Sequence, residues 1–395
     1  MRVEAGRRGV DWLAEAAAAA EVHTVRVAWA DRLGTLRGKR LPVDLFLSSP
    51  ERRIAFCDGM IVVDVNCDVI QETPFSNFET GYPDMYLRPE LETLVEVGWA
   101  EGEALVLGQL EDHEGVPLAV APRNVLRRIV SRLAEDAVEV GARLSVSGRL
   151  MKGRGEPFRL FPDGLGGSED PPGILREAVD GLVASGVAVR WLQTDREGGF
   201  RLSLDSLSPV DAADQAVIAK AALKELARAR GVDAVFMSAL PGLPRSGQLG
   251  VELRLSGVEV DPIDLQRRFA CVRALLQPSI NAFRLGPVPS PAARRVDGAT
   301  VLTGLVAASE ADPATALAAF AASIGAGREG GHAVFDVPEP EGLDGAASVL
   351  EVNDWTRTWL GDAFVDNTVP LLRHEAAIFR AAVTDWELDR YWSAG

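Results

Sequence analysis

Thr24 to Ala30 (TVRVAWA) alternates β-branched and small residues with period two, the pattern of a half-buried strand. Asp31 to Gly34 supplies turn chemistry and Thr35 to Leu41 is composed to pair back, so the spacing predicts a β-hairpin. Ahead of it, the Ala-rich stretch Asp11 to Val22 predicts a short helix. Further strands are expected at Arg53 to Cys57, Met60 to Val65 and Ala104 to Leu110, with a turn from His113 to Pro117. The first 115 residues read as a small strand-rich domain.

The period then changes. From Arg123 to Glu139, residues Val125, Leu126, Ile129, Val130, Leu133 and Val138 fall on one helical face, with Gly141 as the stop signal. A strand is expected at Arg143 to Met151, then a Gly/Pro-rich loop from Pro162 to Pro172. Helices at Gly173 to Ala184 and Pro209 to Arg230 alternate with strands at Ala188 to Gln193, Phe200 to Leu204, Ala234 to Met237 and Gly250 to Leu255. Helical patterns return at Asp261 to Leu276, Pro313 to Ile324 and Thr368 to Tyr391. The second region is a mixed α+β domain. No repeat of solenoid or propeller length recurs.

At 395 residues the chain is long enough for two or three domains with sizeable cores. Lys plus Arg number 41 and Asp plus Glu 57, a net charge of −16. No basic excess exists to neutralise a phosphate backbone, so nucleic acid is not an expected partner. The longest early uncharged apolar run, Ala16 to Ala20, is far short of the roughly 20 residues that span a membrane, so no membrane partner is expected. Three cysteines form neither a disulfide framework nor a metal knuckle, and Cys57 and Cys67 read as small buried hydrophobes in a cytoplasmic protein. Only four histidines are present, which starves any mechanism built on several imidazoles.

Several stretches, in order, then resemble one family. Asp31-Arg-Leu-Gly-Thr-Leu-Arg-Gly-Lys-Arg-Leu-Pro42 is similar to the D-x-x-G-x-x-R-G-K-x-(V/L)-P hairpin of glutamine synthetase and its relatives. Asp84 to Leu94 with Trp99, Gly115-Val-Pro117 and Ala121 to Leu126 resemble the segments that lead into that family's catalytic domain. Asp211-Ala-Ala-Asp-Gln215 with Lys220, Gly231 to Met237, Pro278 to Arg284 and Val383 to Tyr391 continue the match to the C-terminus. The spacing before Gly81 looks more like the amine-glutamylating members than the ammonia-using enzyme. The resemblance implies an α+β fold: an N-terminal β-grasp domain over residues 22–115, then a catalytic-type domain with a curved antiparallel sheet over residues 116–395.

That family joins an amine to the γ-carboxylate of glutamate with ATP and divalent metal, so its ligand positions can be checked. Its first metal strand carries E-x-E-F, where this chain reads Val146 to Lys152 without a carboxylate; Glu156-Pro-Phe158 is at most a slipped relic. In the second metal strand Thr194 and Arg201 stand at the two Glu positions, and in the third Gly250 and Glu252 stand at the two His positions. A cation about 4 Å from a divalent ion repels it by roughly 8 kcal/mol at an effective dielectric near 20. Glu to Arg at position 201 thus moves a metal site by on the order of 10 kcal/mol in the wrong direction. The expectation is no metal site and no cofactor.

The expected function is a glutamine synthetase-like pseudoenzyme, a binding, structural or regulatory subunit. The alternative is an ATP-dependent γ-glutamyl ligase, or a metal-independent acyl transferase with a remodelled site. By resemblance, Asn281, Arg284 and Arg295 are candidates to grip a substrate anion, against a reading as surface ion pairs. Arg149, Thr194, Arg201, Gly250, Glu252 and Arg254 form the candidate remodelled cradle, joined by Lys152, Arg154 and Arg159 if those cations line it too. The competing reading pairs Arg201 and Arg254 with Asp195, Glu197 and Glu252; Glu252 and His332 then read as structural. Expected partners are copies of itself in a ring, or an active paralogue, and a small anionic or amino-acid ligand.

Overall fold

The computed structural model describes residues 9–153, 155–163, 170, 172–206, 208–243, 245–328 and 337–392. Arg154, His332 and most of the Pro162 to Pro172 loop therefore lie outside the described residues. After α1 (Val10–Ala18), β1 (Thr24–Ala30) and β2 (Leu36–Pro42) form the expected hairpin, with Thr24 opposite Pro42. Asp31 closes its turn. The carboxylate accepts from the backbone N–H of Leu33 at 3.0 Å and Thr35 at 2.9 Å, and from Arg37 Nε at 2.8 Å.

The small sheet is completed by α2 (Val43–Leu47), β3 (Ile54–Cys57), β4 (Asp84–Pro89), β5 (Val95–Glu96) and β6 (Glu103–Glu111). Its order is β2-β1-β6-β4-β3 with β5 beside β6, and β1 runs parallel to β6. The expected strand from Met60 to Val65 is not one. Ile61, Val62 and Val63 are all buried, and Asp64 turns the chain by accepting from the N–H groups of Asn66 at 2.8 Å and Asp68 at 2.9 Å. A run buried without alternation carries no strand period.

α3 (Pro122–Glu135) leads into the second sheet, built from β7 (Glu139–Met151), α4 (Ile174–Ala184), β8 (Val189–Thr194), β9 (Gly199–Leu204), α5 (Pro209–Ala229), β10 (Asp233–Val235) and β11 (Gln248–Ser256). After α6 (Pro262–Cys271) and α7 (Arg273–Leu276), β12 (Ala292–Val296) and β13 (Ala299–Ala308) finish it. The order is β12-β13-β11-β7-β9-β8, with β10 on the far end of β7, and every pairing is antiparallel. Gly141 is not a helix stop; it lies inside β7 opposite Arg254. The chain leaves α3 earlier, through Ala137 at φ 58°, a non-glycine in the left-handed region.

The last layer is helical: α8 (Pro313–Arg328), α9 (Gly342–Val352), α10 (Asp354–Leu360), α11 (Asp362–Ala381) and α12 (Asp385–Tyr391). α8 has no polar stripe because it has no wet side; it is buried continuously from Pro313 to Ala326. α3, α5 and α8 pack together, and α3 and α5 cover the inner face of β7 through Ala142, Leu144 and Val146. The curved antiparallel sheet backed by helices and preceded by the β-grasp sheet is the α+β architecture expected from sequence. Among the described residues no helix is long and apolar enough to cross a membrane.

Candidate functional site

Strand alternation turns the second set of β7 side chains to the open face of the large sheet. There Ser145 sits between Ser203 of β9 and Gly250 of β11, and Ser147 lies opposite Arg201. These residues, with Arg143 and Arg190, line a cavity of about 270 Å³. Gly250 faces Ser145 closely: a Cβ there would lie 2.5 Å from Ser145 Oγ, which would have to turn aside.

Of the cradle candidates, Arg201, Gly250 and Glu252 line this cavity. Arg201 is exposed and donates through Nε to Ser147 Oγ at 3.3 Å. Glu252 is the only carboxylate among the cavity-lining residues, and it accepts from Arg143 Nη1 at 2.9 Å. Arg149, on the same strand face, is buried; it donates to the carbonyl of Glu197 at 2.7 Å and to Asp195 at 3.2 Å, pinning the β8–β9 turn. The acids thus do pair with arginines, but their partners are Arg149 and Arg143 rather than Arg201 and Arg254. Thr194 donates to the carbonyl of Phe161 at 3.0 Å, and Arg254 sits farther along β11, opposite Gly141. Lys152 pairs with Glu156 at 3.7 Å.

Asn281 and Arg284 come together elsewhere, beside the loop 237–243. Asn281 donates to the carbonyl of Ala239 and accepts from its N–H, both at 2.9 Å, so it holds the loop. Arg284 is exposed and lines an open groove of about 780 Å³ whose wall includes Met237, Leu240 and Leu243. Arg295 is on the edge strand β12 and donates to Thr300 Oγ1 at 3.1 Å. Cys57 and Cys67 are exposed, not buried.

Sequence reading missed Arg143, Ser145, Ser147, Arg190 and Ser203 as cavity residues. The signal was the two-residue period of RLSVS and RLS, which puts them on the face opposite the core leucines. It also missed the clamp on the other side of loop 237–243, where Glu310 accepts from the N–H of Ser238 at 2.8 Å and from its hydroxyl. Next to Glu310, Lys220 Nζ donates to the carbonyl of Ser309 at 2.8 Å.

Burial lowers the Lys220 ammonium to about 8 despite nearby acids. Burial likewise raises the Asp312 carboxyl to about 7, although it accepts from Thr315 N–H at 2.7 Å and Oγ1 at 3.0 Å. Between the ordinary 3.8 and about 7 the folded state keeps a proton that the unfolded chain has released. This group's stabilisation is therefore complete below that window and is lost as pH rises through it. Asp312→Asn keeps an acceptor for Thr315 without the charge. Its urea midpoint is expected to exceed the parent's at pH 8 and to converge with it near pH 4; parallel curves would contradict this assignment.

The two sheets and the helices behind them form a glutamine synthetase-like fold. No family model matches the chain. It is 25% identical to the γ-glutamylethanolamide synthetase of Streptomyces coelicolor over 97% of this chain and 95% of that protein. It is 24% identical to type-1 glutamine synthetase 2 of Dictyostelium discoideum over 93% of this chain and 83% of that one. Among solved structures, ligand-free GmaS superposes with a TM-score of 0.76 at 19% identity, covering 96% of this chain and 99% of the other. The homologues of this chain are members of the glutamine synthetase family, γ-glutamylamine synthetases among them.

One expectation is overturned by these relatives. The chain was expected to use no cofactor, whereas its homologues are ligases of a family that works with ATP and metal ions. A pair of divalent cations needs several convergent oxygen or imidazole donors. Among the described residues no three His, Cys, Asp or Glu side chains converge in that way. With Glu252 held by Arg143, the described cradle residues do not by themselves supply the donors of a metal pair.

Proposed function

We propose that the protein is a ligase of the γ-glutamylamine type, joining glutamate to an amine that carries a hydrocarbon group. The alignment with a γ-glutamylethanolamide synthetase along nearly the whole chain carries this reading. The groove supports it: Arg284 offers a planar fork to a carboxylate, and Met237, Leu240 and Leu243 offer an apolar wall. Ammonia has no use for such a wall; an alkyl or aryl amine does. Assembly into a ring and a cytoplasmic location belong to the same proposal, and light scattering of the purified chain checks the ring.

The test is phosphate release from ATP, with Mg²⁺ or Mn²⁺, glutamate and a panel of amines. Release that requires both glutamate and amine is expected. Arg284→Ala is expected to raise the KM for glutamate about tenfold or more, the scale of a lost charge-assisted bond. Unchanged KM would remove Arg284 from the reading. The second reading, a binding or regulatory subunit without turnover, is favoured by one observation: Arg201 faces the cradle where a carboxylate would serve a metal. It predicts ligand binding with no release under any of these conditions.

A further inference from the structure

A second cavity lies where the small sheet meets the helical layer. Trp29 of β1, Leu275 of α7, and Phe364, Asn367 and Leu371 of α11 are among the residues lining it. Leu371 also packs into the core of the small sheet, so this wall belongs to both layers. Arg32, from the turn after β1, and Thr368 are the only half-buried residues of the lining, and they mark its mouth. The space measures about 40 Å³, about three water-sized positions at roughly 10 to 15 Å³ each.

Three polar groups meet in this apolar setting without an answer. Trp29 and Asn367 are each 3% exposed, and neither the indole N–H nor the carboxamide oxygen has a hydrogen-bond partner among the described residues. Buried groups of this kind cost free energy until something pairs with them. Arg32 donates through Nε to the carbonyl of Val63 at 3.1 Å and forms no ion pair among the described residues. Its neighbour Asp31 is held by Arg37 at 2.8 Å, and burial lowers the Arg32 guanidinium. Thr315, also in the wall, is already committed, since its hydroxyl donates to Asp312 at 3.0 Å. An occupant must therefore accept from Trp29 and Arg32, donate to Asn367 and present hydrocarbon to the rest. Water meets the hydrogen bonds but neither the cation nor the apolar wall.

We propose that this cavity binds a short-chain α-hydroxy acid, its carboxylate at the mouth against Arg32 and Trp29, its hydroxyl donating to Asn367, and its alkyl end among Ile61, Leu275, Phe364 and Leu371. A forked guanidinium matches a carboxylate, and the alkyl end gains by leaving water. The cavity shares no lining residue with the Arg284 groove, and the inference does not depend on the ligase reading.

Isothermal titration of the full chain with sodium lactate, at ionic strength matched with sodium chloride, tests it. Saturable one-site binding is expected, weakened about tenfold in Arg32→Gln, the scale of a lost charge-assisted bond. Propionate, which is lactate without the hydroxyl, is expected to bind the parent several-fold more weakly, and Asn367→Leu is expected to erase that preference. Asn367→Ala replaces it should circular dichroism show the first variant unfolded. Arg284→Ala is expected to bind lactate as the parent does, which separates this cavity from the groove. No heat beyond the chloride control would leave water as the occupant and overturn the proposal. Loss of lactate binding in Arg284→Ala, or an undiminished preference for lactate over propionate in the Asn367 variants, would overturn it as well.

Discussion

Arg123→Ala is expected to cost about 3 to 5 kcal/mol of folding free energy, the range for removing one partner of a buried ion pair. Arg123 opens α3 and reaches two elements at once. Its Nε and Nη2 bond the Asp214 carboxylate at 2.8 and 2.7 Å, and its Nη1 bonds Glu90 at 2.6 Å. Glu90 follows β4 and Asp214 lies in α5, so one guanidinium ties the small sheet to the helices behind the large one. Burial alone raises the Glu90 carboxyl, but the bonds and charges of Arg127 and Arg123 outweigh it and hold the group below its usual range. In the variant Glu90 keeps Arg127, whereas Asp214 stays buried without its cation. Thermal unfolding is expected about 10 °C lower, at roughly 2 to 4 °C per kcal/mol for a large domain. The double variant Arg123→Ala with Asp214→Ala recovers part of the loss. A shift below about 2 °C in the single variant would contradict the assignment.

Trp359→Ala is expected to have an effect of the same order, about 3 to 5 kcal/mol, by opening a cavity between α8, α10 and α3. The indole is 2% exposed, with the Arg132 guanidinium 3.9 Å from its ring centroid. Its other edge is accommodated by a glycine: a Cβ at Gly325 would fall 2.2 Å from Trp359 Cη2. Gly325→Ala alone is thus expected to cost about 1 to 3 kcal/mol by overpacking. In the Trp359→Ala background the added methyl meets no ring, so the two losses fall short of additivity. Urea midpoints of the four proteins measure this directly, and strict additivity would contradict the packing.

Position 325 shows how far sequence carries the fold. The small residues of α8 mark a fully buried helix, but which of them admits an indole is decided by a residue 34 positions later. The hairpin at Asp31, the α3 stripe and the ordered motifs were legible because each is local or repeats a known spacing. Three features were not. Helices α9 and α10 carry only short apolar runs, and the expected helix from Thr368 to Tyr391 is divided at Ala382 to Thr384. The divide is set by Thr384, whose side chain and Glu387 cap the next helix reciprocally. β13 escaped notice because its run TVLTGLVAA is buried on much of both faces and lacks alternation.

The candidate site was legible in type and not in pairing. Sequence placed arginines on the old metal strands, yet only the register of β7, β9 and β11 decides that Arg149 holds the turn, Arg143 holds Glu252 and Arg201 faces open space. A shift of one residue in any strand would turn the serines to the core and the leucines to the cavity. The relatives then change the functional emphasis: from a chain expected to be a cofactor-free binding, structural or regulatory subunit to one proposed to act as they do, with an unusual cradle.

The measurement that bears most directly on that proposal is mass spectrometry of the products formed from ¹³C-glutamate. The purified chain is incubated with ATP, Mg²⁺ or Mn²⁺ and a mixture of ethanolamine, isopropylamine, aniline and putrescine. A labelled γ-glutamyl amide that requires both ATP and the intact protein is the predicted result. A folded protein that forms no labelled amide with any of these amines would contradict it.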